Sequence, residues 1–206
     1  MDSAHKICRI QTGGTIKGSR PLTDREVWRV ARSMGKRDRA LLVLGVCSGF
    51  RISELLSLRV GDVERNGRPV SAISVARKSM KGKLEGRTIP FAHKARKAIG
   101  EWLAEIRRSQ PGLSPESFLF GSRKGGAISR VHAWRILAQA FVGNGMTGKL
   151  GTHSMRKTFA AKMYASLGHD LLKTQRALGH RSINTTVAYL SFSELEINEA
   201  IMEAWR

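Results

Sequence analysis

The polar and apolar positions divide the chain into a run of helices interrupted once by a pair of strands. Val27, Val30, Ala31 and Met34 recur on one helical face, and Thr23 with Glu26 has capping-box spacing. Residues 38–48 (DRALLVLGVCS) are apolar nearly all round, which predicts a buried helix, and Gly49 suits its C-terminal end. A third helix is expected over Ser53–Leu58. Val70–Val75 and Thr88–Pro90 are rich in β-branched residues, and the basic, glycine-containing segment Lys78–Gly86 between them reads as a hairpin loop. Ala95, Ile99, Trp102, Leu103 and Ile106 give residues 94–108 an amphipathic helical pattern. Gln110–Pro115 breaks it, and Ser129 is expected to cap a helix with Val131, Trp134, Ala138 and Phe141 as its buried stripe. Four glycines mark Gly143–Gly151 as a loop. Helices follow at 154–167, 171–178 and 184–190, and Ser193 with Glu196 opens a last one ending near Trp205. The expected fold is mainly α with a small antiparallel β-sheet (α+β), one domain over 21–206 behind a flexible basic arm, residues 1–20.

Composition narrows the class. Of 206 residues, 41% are hydrophobic, enough to form a core and too many for a disordered basic tail. The longest apolar run, Ala40–Cys47, falls far short of the roughly 20 residues that span a bilayer. Cys8 and Cys47 cannot form a disulfide framework or a cysteine-based zinc site, which favours a reduced, cytoplasmic protein. Gly-x-Gly-x-x-Gly, the Walker loop and His-Glu-x-x-His are absent, so neither a nucleotide cofactor nor a metal is expected.

Charge then points to a partner. The formal net charge is +20, an excess that calls for a polyanion, with nucleic acid foremost. It is unevenly spread. Residues 51–97 carry 12 basic and 4 acidic side chains, net +8, and residues 123–182 carry 11 and 1, net +10. Residues 183–206 carry 1 basic and 4 acidic, net −3, which suits contact with basic protein surface rather than with a polyanion.

Candidate chemistry lies in and just beyond those two basic blocks. Gly49-Phe50-Arg51-Ile52-Ser53-Glu54-Leu55 comes first, then the basic segment with Lys78, Lys81 and Lys83, then His153-Ser154-Met155-Arg156, Leu178-Gly179-His180, and Tyr189 nine residues after His180. In this order and spacing the set resembles the tyrosine recombinase (phage integrase) family, over roughly residues 21–206. The resemblance implies a catalytic domain that breaks and rejoins DNA through a covalent 3′-phosphotyrosine, without metal or cofactor. Tyr189 would be the nucleophile. Arg51 and Arg156 would clamp the non-bridging oxygens, with His180 as a further donor. His153 would take and return the tyrosine proton. A hairpin lysine would protonate the departing 5′ oxygen. Lys81, followed by Gly82, fits the family pattern best, and Lys78 and Lys83 stay open as alternatives. Lys157 stands where the family commonly has histidine.

Arg77, Lys78, Lys83 and Arg87 around the hairpin, Arg130 and Arg135 flanking Trp134, Lys157 and Arg181 are the expected DNA contacts. Singly, each has a plainer reading: Arg51 as a surface or capping arginine, His153 with Arg156 as a local polar pair, Gly179-His180 as a helix end, Tyr189 as a core aromatic. The joint pattern outweighs these for the six catalytic positions. Tyr164, on a face with Phe159, Met163 and Leu167, reads as core.

The resemblance further implies double-stranded DNA with inverted-repeat sites as the partner, a tetramer on DNA from a free monomer or weak oligomer, and nucleoid association in the cytoplasm. The acidic segment 191–206 would be a docking helix, in trans or in cis. Relatives generally carry an N-terminal core-binding domain for which Arg51 comes too early. The expectation is therefore either a catalytic fragment or a short recombinase of the fimbrial-invertase kind. The competing function is a DNA-binding accessory module with this fold but no turnover.

Overall fold

The computed structural model describes residues 18–78, 84–190, 198 and 201–204. Helix α1 (Asp24–Ser33) starts at the expected box: the Thr23 hydroxyl accepts from the Glu26 N–H at 3.2 Å, and the Glu26 carboxylate accepts from the Thr23 N–H at 2.8 Å. The same carboxylate takes two hydrogen bonds from Arg20, and this guanidinium is the main reason its pKa drops to about 2. Arg20 also donates from Nε to the Thr147 carbonyl at 2.9 Å, so the segment entering α1 is tied to the loop before the site helix.

Helix α2 (Lys36–Ser48) is the centre of the molecule, with Ala40 through Val46 all buried. It packs on α5 (His93–Ser109) and on α7 (Thr152–Ser166). Its approach to α7 is close because Gly45 has no side chain; a Cβ there would lie 2.5 Å from Met155 Sδ. Gly49 ends α2 in the left-handed region at φ 60°, and a Cβ would strike the Phe159 ring. Both demands fall on one residue, which therefore turns the chain sharply just before Arg51.

Two short helices follow, α3 (Ile52–Ser57) and α4 (Val60–Val63). Among the described residues the β structure comprises two separate antiparallel hairpins rather than one sheet. In the first, β1 (Glu64–Arg65) pairs with β2 (Arg68–Pro69) across Asn66-Gly67, both at positive φ. In the second, β3 (Ala72–Lys78) pairs with β4 (Leu84–Pro90) from Ala72↔Pro90 to Lys78↔Leu84. The strands thus run deep into what the composition marks as loop. Lys81 and Lys83 lie outside the described residues; Arg77 and Lys78 are placed by the backbone of β3.

Helix α6 (Arg130–Gly143) begins at Ser129, whose hydroxyl accepts from the His132 N–H. Its orientation corrects the expected stripe. Ala133, Leu137 and Phe141 are buried, whereas Val131 and Trp134 (50% exposed) face outward. Trp134 is therefore not core. Helices α8 (Leu171–Leu178) and α9 (Ile183–Leu190) finish the body. They pack with α7 around a small second core of Phe159, Ala160 and Leu178, separate from the main one, with Tyr189 and Leu190 against it. Tyr164 is only half-buried, edge-on to the His169 ring at 4.9 Å, rather than part of a core. Asn198 and residues 201–204 are helical; the remainder of 191–206, and residues 1–17 of the expected arm, lie outside the described residues. Among the described residues no helix is long and apolar enough to cross a membrane.

Candidate active site

One cleft is lined by Phe50, Arg51, Ile52, Ser53, Arg130, Thr152, His153, Arg156 and Tyr189. Residues 138 positions apart in the chain thus meet on one surface. Four of the six expected catalytic side chains line it, and a fifth, His180, stacks obliquely on Tyr189 with ring centroids 5.0 Å apart. The sixth, Lys81, lies outside the described residues.

Each group is set by a local device. Arg51 is the N-cap of α3, and Glu54 one turn on does two jobs for it. One carboxylate oxygen accepts the Arg51 N–H at 2.6 Å, and the other pairs with Nη1 at 3.1 Å. Glu54 is buried while the Arg51 side chain is half-exposed, so a fixed anion holds a cation at the edge of the cleft. His153 sits exposed in the first turn of α7, where Ser154 turns back to accept the Gly151 N–H at 3.2 Å.

Arg156, one turn further along α7, is only 2% exposed. It donates from Nη1 to the Gly49 carbonyl and from Nη2 to the Leu178 carbonyl at 2.8 Å, with its guanidinium carbon 5.7 Å from the centre of the Tyr189 ring. A planar fork held at two points cannot swing, which is what bidentate capture of a phosphate requires. His180, buried, follows Gly179, which ends α8 in the left-handed region, and its Nδ1 lies 2.9 Å from the Thr186 hydroxyl. Tyr189 is one turn beyond Thr186 on α9 and half-buried.

The expected DNA contacts separate into two groups. Arg130, Arg135 and Arg181 are exposed, and Arg130 lines the cleft. Arg87 and Lys157 are buried inside the fold, unlike those three. Burial also pushes the Lys157 ammonium below its usual range. Arg87 donates to two backbone carbonyls inside the fold and packs against aromatic rings. Sequence reasoning passed over Glu54 and Thr186. The first was visible in the segment around Arg51 as a carboxylate three residues after a capping position; the second carried no signal beyond a threonine one helical turn ahead of the tyrosine.

Residues 22–195 match the family model described as the phage integrase family. The chain belongs to the phage integrase family. The tyrosine recombinase XerD of Corynebacterium glutamicum is 32% identical to this integrase-family chain over 179 residues, covering 86% of it and 54% of the relative. The chain spans about half the length of the XerC and XerD relatives it matches. The crystal structure of XerA recombinase superposes at a TM-score of 0.71 with 26% identity, over 91% of this chain and 66% of that one. The post-cleavage complex of XerH site-specific recombinase bound to palindromic difH substrate superposes at 0.67 with 26% identity, over 93% and 55%. The integrase-family catalytic fold is thus mostly helical with small antiparallel hairpins, as the helical periodicity and the motif order imply.

Proposed function

We propose that this chain is the catalytic domain of a site-specific DNA recombinase, which cuts and rejoins one strand at a time through Tyr189. The observation that carries this is the convergence of Arg51, His153, Arg156 and Tyr189 on one cleft, with His180 against the nucleophile's ring. In the reaction, the Tyr189 oxygen attacks the scissile phosphorus while its proton passes to His153. The P–O5′ bond breaks, and the departing oxygen takes a proton from a hairpin lysine, assigned to Lys81. The 3′-phosphotyrosine keeps one phosphodiester-type bond in place of another, so a 5′ hydroxyl can reverse the step without an energy source. Charge that builds on the two non-bridging oxygens is met by Arg51 and Arg156, with His180 as a further donor.

The basic blocks 51–97 and 123–182 supply the arginines of the cleft and fit a duplex of negative phosphates. Exposed Arg130, Arg135 and Arg181 are assigned to phosphate or base contact, with backbone-placed Arg77 and Lys78, and Lys83, on the hairpin. The DNA-bound XerH relative supports a duplex with inverted repeats as the substrate, and a tetramer on DNA follows the family pattern. Residues 191–206 serve as its docking segment, and the protein acts in the cytoplasm on the nucleoid.

A duplex nicked close to the scissile phosphate tests the reading, because loss of the short fragment traps the covalent intermediate. Wild type should accumulate a protein–DNA band resistant to denaturant, and Tyr189→Phe should give none. Binding of the cognate site with no such band from wild type would leave an accessory module in place of an enzyme.

A further inference from the structure

Two buried arginines hold the same pair of helix ends. Arg156, from α7, donates to the carbonyls of Gly49 and Leu178. Arg87, from β4, donates through Nη2 to the carbonyls of Ser48, at 3.0 Å, and Ala177. Each carbonyl held by Arg87 is the chain neighbour of one held by Arg156. All four belong to the C-terminal ends of α2 and α8, where carbonyls lack helical partners and the helix dipole is negative. The Arg87 guanidinium is further sandwiched, its carbon 5.4 Å from the centre of the Phe50 ring and 5.7 Å from that of Phe159. It comes from the strand that pairs with β3 in the lysine-bearing hairpin.

We infer that Arg87 is a positioning residue for the arginine clamp: by tying the ends of α2 and α8 together, it sets the distance between the two carbonyls on which Arg156 hangs. Arg156 Nη1 and Nη2 are each held by a backbone carbonyl. Its placement against the phosphate is therefore only as good as the spacing of α2 and α8. Arg87 also brings β4 into that frame, so hairpin and clamp share one anchor. A lysine at 87 would keep a point charge but lose the planar guanidinium that lies over the Phe50 and Phe159 rings and aims Nη2 at both carbonyls. This inference rests on the strand-transfer reading.

The test compares single-turnover cleavage of a nicked duplex at saturating protein by wild type, Arg87→Met, Arg87→Lys and Arg156→Met. The scissile group is either a phosphate or a methylphosphonate of each diastereomer, in which an uncharged methyl replaces one non-bridging oxygen. Misplacing the clamp should slow Arg87→Met on phosphate by about 100-fold, with duplex affinity unchanged. On the methylphosphonate there is less charge for Arg156 to meet, so the penalty should shrink by about tenfold, in parallel with that of Arg156→Met. Arg87→Lys should fall between, and it carries the comparison if Arg87→Met fails to fold. Wild-type rates in both Arg87 variants would overturn the inference. So would equal slowing on both substrates, or weaker binding with an unchanged saturated rate. If wild type itself forms no covalent complex, the strand-transfer reading falls and takes this one with it; an active wild type with indifferent Arg87 variants removes this one alone.

Discussion

Thr186 fixes His180 from inside the fold. Its fully buried hydroxyl lies 2.9 Å from Nδ1, three residues ahead of Tyr189 on the same helix. The contact engages Nδ1, so helix α9 carries both the proposed nucleophile and the hydroxyl that orients the histidine ring. Thr186→Val keeps the shape and removes the hydrogen bond. Its loss is worth about 1 kcal/mol, so cleavage should slow by about fivefold, with an altered pH–rate profile and unchanged duplex affinity. Single-turnover rates between pH 5 and 9 would check this.

Glu54→Gln keeps an acceptor for the Arg51 N–H and deletes the ion pair. A charge-assisted bond to a buried carboxylate contributes about 1.5–3 kcal/mol, so cleavage should drop by about 10- to 100-fold. Arg51 is half-exposed, which screens the pair and favours the lower end of that range. A rate loss together with a melting temperature lower by a few degrees is the expected pattern.

Gly49→Ala meets two penalties at once, positive φ and the Phe159 ring. About 2–4 kcal/mol of stability should be lost, visible as a melting temperature lower by roughly 5–15 °C in calorimetry.

The Glu26 carboxyl has a folded-state pKa of about 2 against an ordinary 4.5, chiefly because Arg20 hydrogen-bonds it. A depressed carboxyl stabilises the fold above its unfolded pKa, and that contribution is lost as pH falls through the folded value. Wild type should therefore melt above Glu26→Gln at pH 6, and the gap should close between pH 4.5 and 2. Thermal scans across that range would read it.

Arg135 is exposed, five residues beyond Arg130 on α6. If it contacts a phosphate, Arg135→Ala should weaken duplex binding at all sequences and reduce the slope of log affinity against log salt by about 0.9. Affinities measured at several salt concentrations distinguish this from a base contact, which would relax preference at one position.

Much of this architecture was legible before the structure because long elements repeat their pattern. The all-apolar α2 and the amphipathic α5 each offer many positions that agree. The α6 face was misread because the exposed apolar residues Val131 and Trp134 drew the stripe to one side. The packed side is smaller, with Ala133 allowing close approach and Leu137 and Phe141 filling beyond it. The β1–β2 hairpin has only the Asn66-Gly67 turn as signal, since its two-residue strands are too short and polar to alternate. In the site, order and spacing picked out Arg51, His153, Arg156, His180 and Tyr189, which the fold brings together. The residues that hold them, Glu54, Arg87 and Thr186, are buried polar groups whose partners lie on other turns or other elements. A basic residue near a basic loop reads as surface until a fold puts two carbonyls in front of it.

The small core of Phe159, Ala160 and Leu178 has a consequence for dynamics. Helix α9 leans on this cluster and on α7 and α8, not on the large core around α2. Few buried contacts mean a low free energy of local opening, so backbone amides of α9 should exchange with solvent deuterium well before those of α2. Tyr189 thus rides on the small core, while Arg51 follows the end of α2 and Arg156 is held at Gly49 there and at Leu178 of α8, so local opening of α9 would shift the proposed nucleophile relative to Arg51.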